Sequence, residues 1–120
     1  MKKVLIVDDS MMSRMMMKRC MPPVDQYQYE LKEASGGKQC LEMYKSAPFD
    51  LIFLDLTMPE MDGFETLEEL RKMDPNAKVV VATADIQQKA QEKVISLGAL
   101  EVIKKPPTKE LITAAIQKYL

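Results

Sequence analysis

The sequence has no histidine and no tryptophan in its 120 residues. Without imidazole, histidine-ligated zinc, Ser-His-Asp triads and histidine general bases are excluded. Any chemistry must therefore run on carboxylates, Lys, Ser/Thr or a hard metal ion. Cysteine is scarce, with only Cys20 and Cys40 present. Their spacing fits no metal motif, and without a secretory signal they read as free thiols of a cytoplasmic protein. The four glycines, Gly36, Gly37, Gly63 and Gly98, make neither Gly-x-Gly-x-x-Gly nor a P-loop, which disfavours nucleotide binding. An excess of one charge is missing too: 17 Lys plus Arg against 18 Asp plus Glu give −1 overall. That balance removes the broad electrostatic basis for binding nucleic acid or an anionic membrane. No apolar run approaches the roughly 18 residues of a membrane span. The Val4–Val7 run stops at Asp8-Asp9, too short for the core of a signal peptide.

What is present is the composition of one globular domain over residues 1–120, with 47% hydrophobic and 29% charged residues. Short apolar runs alternate with helical patterns. Strands are expected at Lys3–Asp8, Tyr27–Glu33, Leu51–Asp55, Lys78–Thr83 and Leu100–Lys104. Four of these are near-continuously apolar, as strands covered on both faces are, while Tyr29–Glu33 alternates like an edge strand. Helices are expected at Ser10–Met21, Gly37–Ser46, Phe64–Met73, Ile86–Leu97 and Lys109–Tyr119. Pro22-Pro23 stops the first, Asp74-Pro75 the third, Gly98 caps the fourth, and Thr108 supplies an N-cap for the fifth. Five β/α units in strict alternation demand an α/β fold with a parallel sheet, right-handed crossovers and helices on both faces. Helices one and two then lie on opposite faces, so Cys20 and Cys40 are not expected to pair.

In such a sheet ligands bind beyond the carboxyl ends of the strands. Asp8-Asp9 end the first strand, Asp55 the third, Thr83 the fourth, and Lys104-Lys105 before Pro106 the fifth. Two carboxylates about 4 Å apart repel by roughly 4 kcal/mol at an effective dielectric near 20, so a cation must offset the cluster. A hard divalent ion and a lysine both suit, and together they suit a phosphoryl group attacked by a carboxylate.

These residues carry a resemblance. Val7-Asp8-Asp9-Ser10, the run Leu54-Asp55-Leu56-Thr57-Met58-Pro59-Glu60-Met61-Asp62-Gly63, Val81-Ala82-Thr83-Ala84, Gly98-Ala99 and Lys105-Pro106 occur in order and at family spacing. The chain resembles the receiver domain of two-component response regulators, the family to which stand-alone chemotaxis regulators belong. The resemblance implies a flavodoxin-like, doubly wound sheet of strand order 2-1-3-4-5. It implies that Asp55 accepts a phosphoryl group from a phospho-histidine on a histidine kinase or phosphotransfer protein. It implies Mg²⁺ bound by Asp9, Asp55 and the backbone carbonyl of Thr57, with Asp8 acting through water. Lys105 would bind a phosphoryl oxygen, the Thr83 hydroxyl would move to the phosphoryl group, and Lys105-Pro106 would be cis. A target protein would dock on the fourth helix, fifth strand and fifth helix, with Ile95 as a contact. In this reading the protein is a phospho-acceptor that assists its own phosphorylation and dephosphorylation, not an enzyme acting on a separate substrate.

Two departures stand out. Val102 occupies the position of the family's switch aromatic, three residues before the lysine, and Pro107 stands where Phe commonly follows Lys-Pro. Val102 gives weight to an alternative, a receiver-fold binding module that works without phosphate. A phosphatase of the haloacid-dehalogenase type is disfavoured, because its second Asp, two residues on, is Thr57 here.

Other residues read more plainly. Asp62-Gly63 is a turn and helix start, Asp85 a cap for the fourth helix, and Arg14 a solvated residue on the outer face of the first helix. On a helical wheel Met16 and Met17 fall in the core arc with Ser13 and Cys20, whereas Met11 and Met15 project outward. On the fourth helix Ile86, Ala90, Val94 and Leu97 form the buried stripe and Ile95 lies off it. With Met1 at its start and a helix closing near Leu120, the chain is expected to be whole, its output made by protein contact.

Overall fold

The computed structural model describes residues 1–85 and 87–120. In chain order the elements are β1 (Lys2–Val7), α1 (Met11–Cys20), α2 (Val24–Tyr27), β2 (Tyr29–Ala34), α3 (Gly37–Ser46), β3 (Leu51–Leu54), α4 (Gly63–Met73), β4 (Val79–Thr83), α5 (Gln88–Ser96), β5 (Glu101–Lys104) and α6 (Lys109–Tyr119). The strands form one sheet, ordered β2-β1-β3-β4-β5, in which every neighbouring pair is parallel.

The continuous apolar runs are resolved by the two-residue period of a strand. Val4 and Ile6, Leu51 and Phe53, and Val80 and Ala82 point to one face, where they pack with Met17 of α1 and Ile112, Ala115 and Ile116 of α6. Leu5 and Val7, Ile52 and Leu54, and Val79 and Val81 point to the other. There they meet Cys40 and Tyr44 of α3, Leu67 and Leu70 of α4, and Val94 of α5. Cys20 and Cys40 therefore sit in opposite layers, and both thiols are free. The two edges differ from the expectation in one respect. β2 alternates as an edge strand does, but β5 is the other edge and is only partly covered, so its apolar run does not report burial on both faces.

Helix ends follow local chemistry. The Ser10 hydroxyl accepts from Ser13 N–H, Asp62 from Glu65 N–H and Thr108 from Leu111 N–H, each an N-cap. Met21, before Pro22, is extended and ends α1. The single turn α2 was not expected, since Pro22-Pro23 read only as a stop; Pro23 instead caps a new start. Asp85 does not cap α5. The N-cap is Gln87, and Asp85 makes a turn before it by accepting from Gln87 N–H. Ile86 lies outside the described residues, while Val94 is buried and Ala90 and Leu97 are half-buried along the expected stripe. Ile95 is 49% exposed, as its position off that stripe predicts.

Helix α1 is rotated relative to the wheel reading. Met17 is buried, but Met16 is 42% exposed, alongside Met11, Met12 and Met15. Arg14, expected in solvent, is turned inward and its side chain is only 14% exposed. The inward arc of α1 is centred on Met17 and runs from Cys20 and Ser13 to Arg14, whose guanidinium pairs with Glu33 of β2. Among the described residues no helix is long and apolar enough to cross a membrane.

Candidate functional site

The parallel register brings five side chains from four separate stretches of sequence to one sheet edge. Asp8 and Asp9 leave β1, Asp55 leaves β3, Thr83 ends β4 and Lys105 follows β5. Backbone bonds extend the ladder past the strand ends: Asp8 N–H donates to Ala34 O at 3.1 Å, Asp55 N–H to Val7 O at 3.0 Å and Lys105 N–H to Thr83 O at 2.9 Å. The backbones that carry Asp8, Asp55 and Lys105 are thus fixed by the sheet itself.

Carboxylate oxygens of Asp8, Asp9 and Asp55 lie within 4.8 Å of one another. Asp8 and Asp55 are buried and Asp9 is exposed. The Lys105 ammonium joins the two buried acids, forming an ion pair with Asp8 Oδ2 and another with Asp55 Oδ1 at 3.3 Å. Ser10 N–H donates to the second oxygen of Asp8 at 2.9 Å. Burial is the main cause that pushes the Asp55 carboxyl above its ordinary acidity range. The Lys105 ammonium pulls it back, and the charge on Asp8 adds to the rise. One ammonium against three carboxylates leaves the cluster electron-rich. Oxygen donors only, converging from two loops, are the donor set that a hard divalent cation such as Mg²⁺ prefers, so the residues fit that ion.

The remaining predicted residues are placed as follows. Thr83 is almost fully buried, and its hydroxyl accepts from Asp85 N–H at 3.1 Å, so it is tied into its own loop. Thr57 is exposed in the loop after β3. Gly63 opens α4 directly behind the acid. A Cβ there would collide with the backbone carbonyl of Asp55 and with Leu56 Cα, so only glycine lets the helix start this close. The Lys105–Pro106 peptide is cis, as expected. Val102 is half-buried and packs on the same core layer as Leu97.

Sequence reasoning missed Arg14. Its Nη1 donates to the backbone carbonyl of Asp8 at 2.7 Å, and its Nε to Glu33 Oε1 at 2.9 Å. Lys18 pairs with the other oxygen of Glu33 at 2.9 Å. The available signal was a cation one helical turn after the acidic pair, together with an acid on the alternating edge strand beside it. Neither means much until β2 is placed next to β1.

Comparison with known proteins agrees with this geometry. The response regulator receiver domain family matches residues 4–117. The chemotaxis protein CheY of Thermotoga maritima is 39% identical over 118 residues, covering 98% of this chain and 96% of that protein. CheY of Bacillus subtilis is 37% identical over 118 residues, covering 98% and 97%. Among solved structures, CheY4 of Vibrio cholerae matches with a TM-score of 0.87 at 29% identity, over 100% of this chain and 99% of that one. CheY in the CheX–CheY–BeF3–Mg complex of Borrelia burgdorferi matches with a TM-score of 0.83 at 27% identity, over 92% and 83%.

Proposed function

This chain belongs to the response regulator receiver domain family, and on that premise we propose that residues 1–120 act as one receiver that takes a phosphoryl group onto Asp55 and signals by protein contact. The observation that carries the reading is the convergence of Asp8, Asp9 and Asp55 around one ammonium, Lys105, at the carboxyl edge of the sheet.

The donor is a phospho-histidine on a kinase or phosphotransfer protein. An oxygen of Asp55 attacks phosphorus, the bond from phosphorus to the imidazole nitrogen breaks, and its electron pair stays on that nitrogen. Burial and the Lys105 ion pair favour this step by holding the Asp55 carboxylate in place at the edge of the sheet. Lys105 sits on Asp55 before transfer and follows the charge onto a phosphoryl oxygen. Asp9, Asp55 and the Thr57 carbonyl would hold Mg²⁺ directly, with Asp8 acting through water. Bound there, the ion neutralises charge on the phosphoryl oxygens. The same residues assist loss of the group to water.

The Thr83 hydroxyl gives up its bond from Asp85 N–H to meet the phosphoryl oxygen, which moves the loop leading into α5. α5, β5 and α6 then present the surface for a target, with Ile95 exposed on it. Val102 has no ring to swing, so no aromatic rotation accompanies that movement. The relatives' names make chemotaxis the setting to test. Two free thiols in opposite layers suit the reducing cytoplasm.

The test is intact-protein mass after acetyl phosphate, with and without Mg²⁺, beside Asp55→Asn. One phosphoryl addition that requires both Mg²⁺ and Asp55 is expected. No addition to the folded chain would favour the second reading that Val102 raises, a module that binds partners without phosphate.

A further inference from the structure

Asp9 differs from its two neighbours in how it is held. Asp8 is fixed by Lys105 and by Ser10 N–H, and Asp55 by Lys105. Among the described residues no side chain or backbone N–H donates to the Asp9 carboxylate, which lies exposed at the mouth of the cluster. Its position therefore depends on its backbone, and first of all on the Asp8–Asp9 peptide plane. The carbonyl of that plane accepts one bond, from Arg14 Nη1 at 2.7 Å. Arg14 cannot swing away easily, because its Nε is held by Glu33 on β2 and Glu33 is held in turn by Lys18.

We infer that Arg14, anchored by Glu33, is a positioning residue that aims Asp9 into the cation site by holding the Asp8 carbonyl. This deepens the proposed function and rests on its Mg²⁺ site. A guanidinium donates two bonds in a fixed fork, so it can hold Asp8 and Glu33 together, which a single ammonium does poorly. Partners that orient metal ligands in this way are worth about 10–100-fold in metal affinity.

The sign of the effect separates positioning from plain electrostatics. Arg14 carries a positive charge close to a cation site. If it acted through charge alone, removing it would tighten Mg²⁺ binding. If it positions Asp9, removing it weakens binding.

The experiment is calorimetric titration of Mg²⁺ into the full, metal-free chain for wild type, Arg14→Ala, Arg14→Lys and Glu33→Ala. Thermal melts and the amide NMR signal of Asp9 are recorded without Mg²⁺. Arg14→Ala is expected to weaken Mg²⁺ by about tenfold and to move the Asp9 amide signal before any ion is added. Arg14→Lys keeps the charge and is expected to fall between the two. Glu33→Ala, which frees the anchor and leaves Arg14 in place, would weaken Mg²⁺ by loss of its negative charge alone. If Arg14→Ala does not fold, the deciding readout of Glu33→Ala is therefore the Asp9 amide signal without Mg²⁺, which is expected to move and whose standing still overturns the inference. Unchanged or tighter binding in the folded Arg14 variants overturns the inference while leaving the site intact. A folded wild type that takes up no Mg²⁺ overturns the site reading, and this inference with it.

Discussion

The interior of the sheet and its carboxyl edge are built from the same strands under opposite rules. Inside, Leu5, Ile52, Val79 and Val81 are fully buried against Leu67, Leu70 and Val94, and among the described residues no buried side-chain nitrogen or oxygen lacks a hydrogen-bond partner. One residue beyond the strand ends, the chain buries Asp8 and Asp55 side by side and answers them with a single lysine. The first region is what burial free energy selects. The second is a local penalty kept in place by the first, and that is why it stands as the candidate functional site.

Opposite rules should give opposite signs on mutation. Leu67→Ala removes a fully buried side chain between α4 and the sheet and should destabilise by about 4 kcal/mol. The site would stay assembled in the fraction that folds. Chemical denaturation with phosphorylation by acetyl phosphate at low temperature measures both. Normal stability in this variant would break the comparison at its strongest point.

Lys105→Met is the next largest change. It leaves the buried acids Asp8 and Asp55 without their cation, which should cost about 3 kcal/mol, and it should slow phosphorylation sharply. Asp55→Asn runs the other way. It removes a buried like charge and should raise stability by about 1 kcal/mol, or about 4 °C in the melting temperature, while abolishing phosphorylation. Adding Mg²⁺ sharpens the contrast. An ion that binds only the folded state stabilises it by mass action, so the advantage of Asp55→Asn over wild type should narrow as Mg²⁺ rises. An advantage independent of Mg²⁺ would show that Asp55 takes no part in holding the ion.

The two regions also differed in how openly they could be read. The strands were legible because a two-residue period sorts Val4 from Leu5 and Phe53 from Leu54 whatever the partners are. The acidic edge was legible because strand ends of a parallel sheet share a side, so Asp8, Asp55 and Lys105 had to meet. The rotation of α1 was not legible. Its wheel assumes that apolar residues face inward, yet Arg14 turns toward Glu33, 19 residues away, while Met16 stays partly exposed. Asp85 was misread for a related reason: its carboxylate closes a turn ahead of α5, and only the backbone path shows that the helix starts after Gln87.

Glu33 offers the smallest test, at the boundary between the two regions. Its bond from Lys18 is the first cause, and that from Arg14 a further one, that hold its carboxyl below the ordinary glutamate range. A folded-state value below the unfolded one means stability present above the unfolded value, about 4.3, and lost as pH falls through the folded value. At neutral pH Glu33→Gln should therefore be less stable than wild type, by about 0.5 kcal/mol for so partly exposed a pair. The gap should close as the pH drops below the ordinary carboxylate range, and salt should shrink it at neutral pH. Asp55 has the opposite slope, since a raised value means a destabilising charge that is relieved on acidification. Melting curves of the two variants against wild type from neutral to acid pH should converge on it from opposite sides. A Glu33→Gln curve that tracks wild type at every pH would mean that Glu33 is a solvated charge whose pairs with Arg14 and Lys18 add nothing to stability.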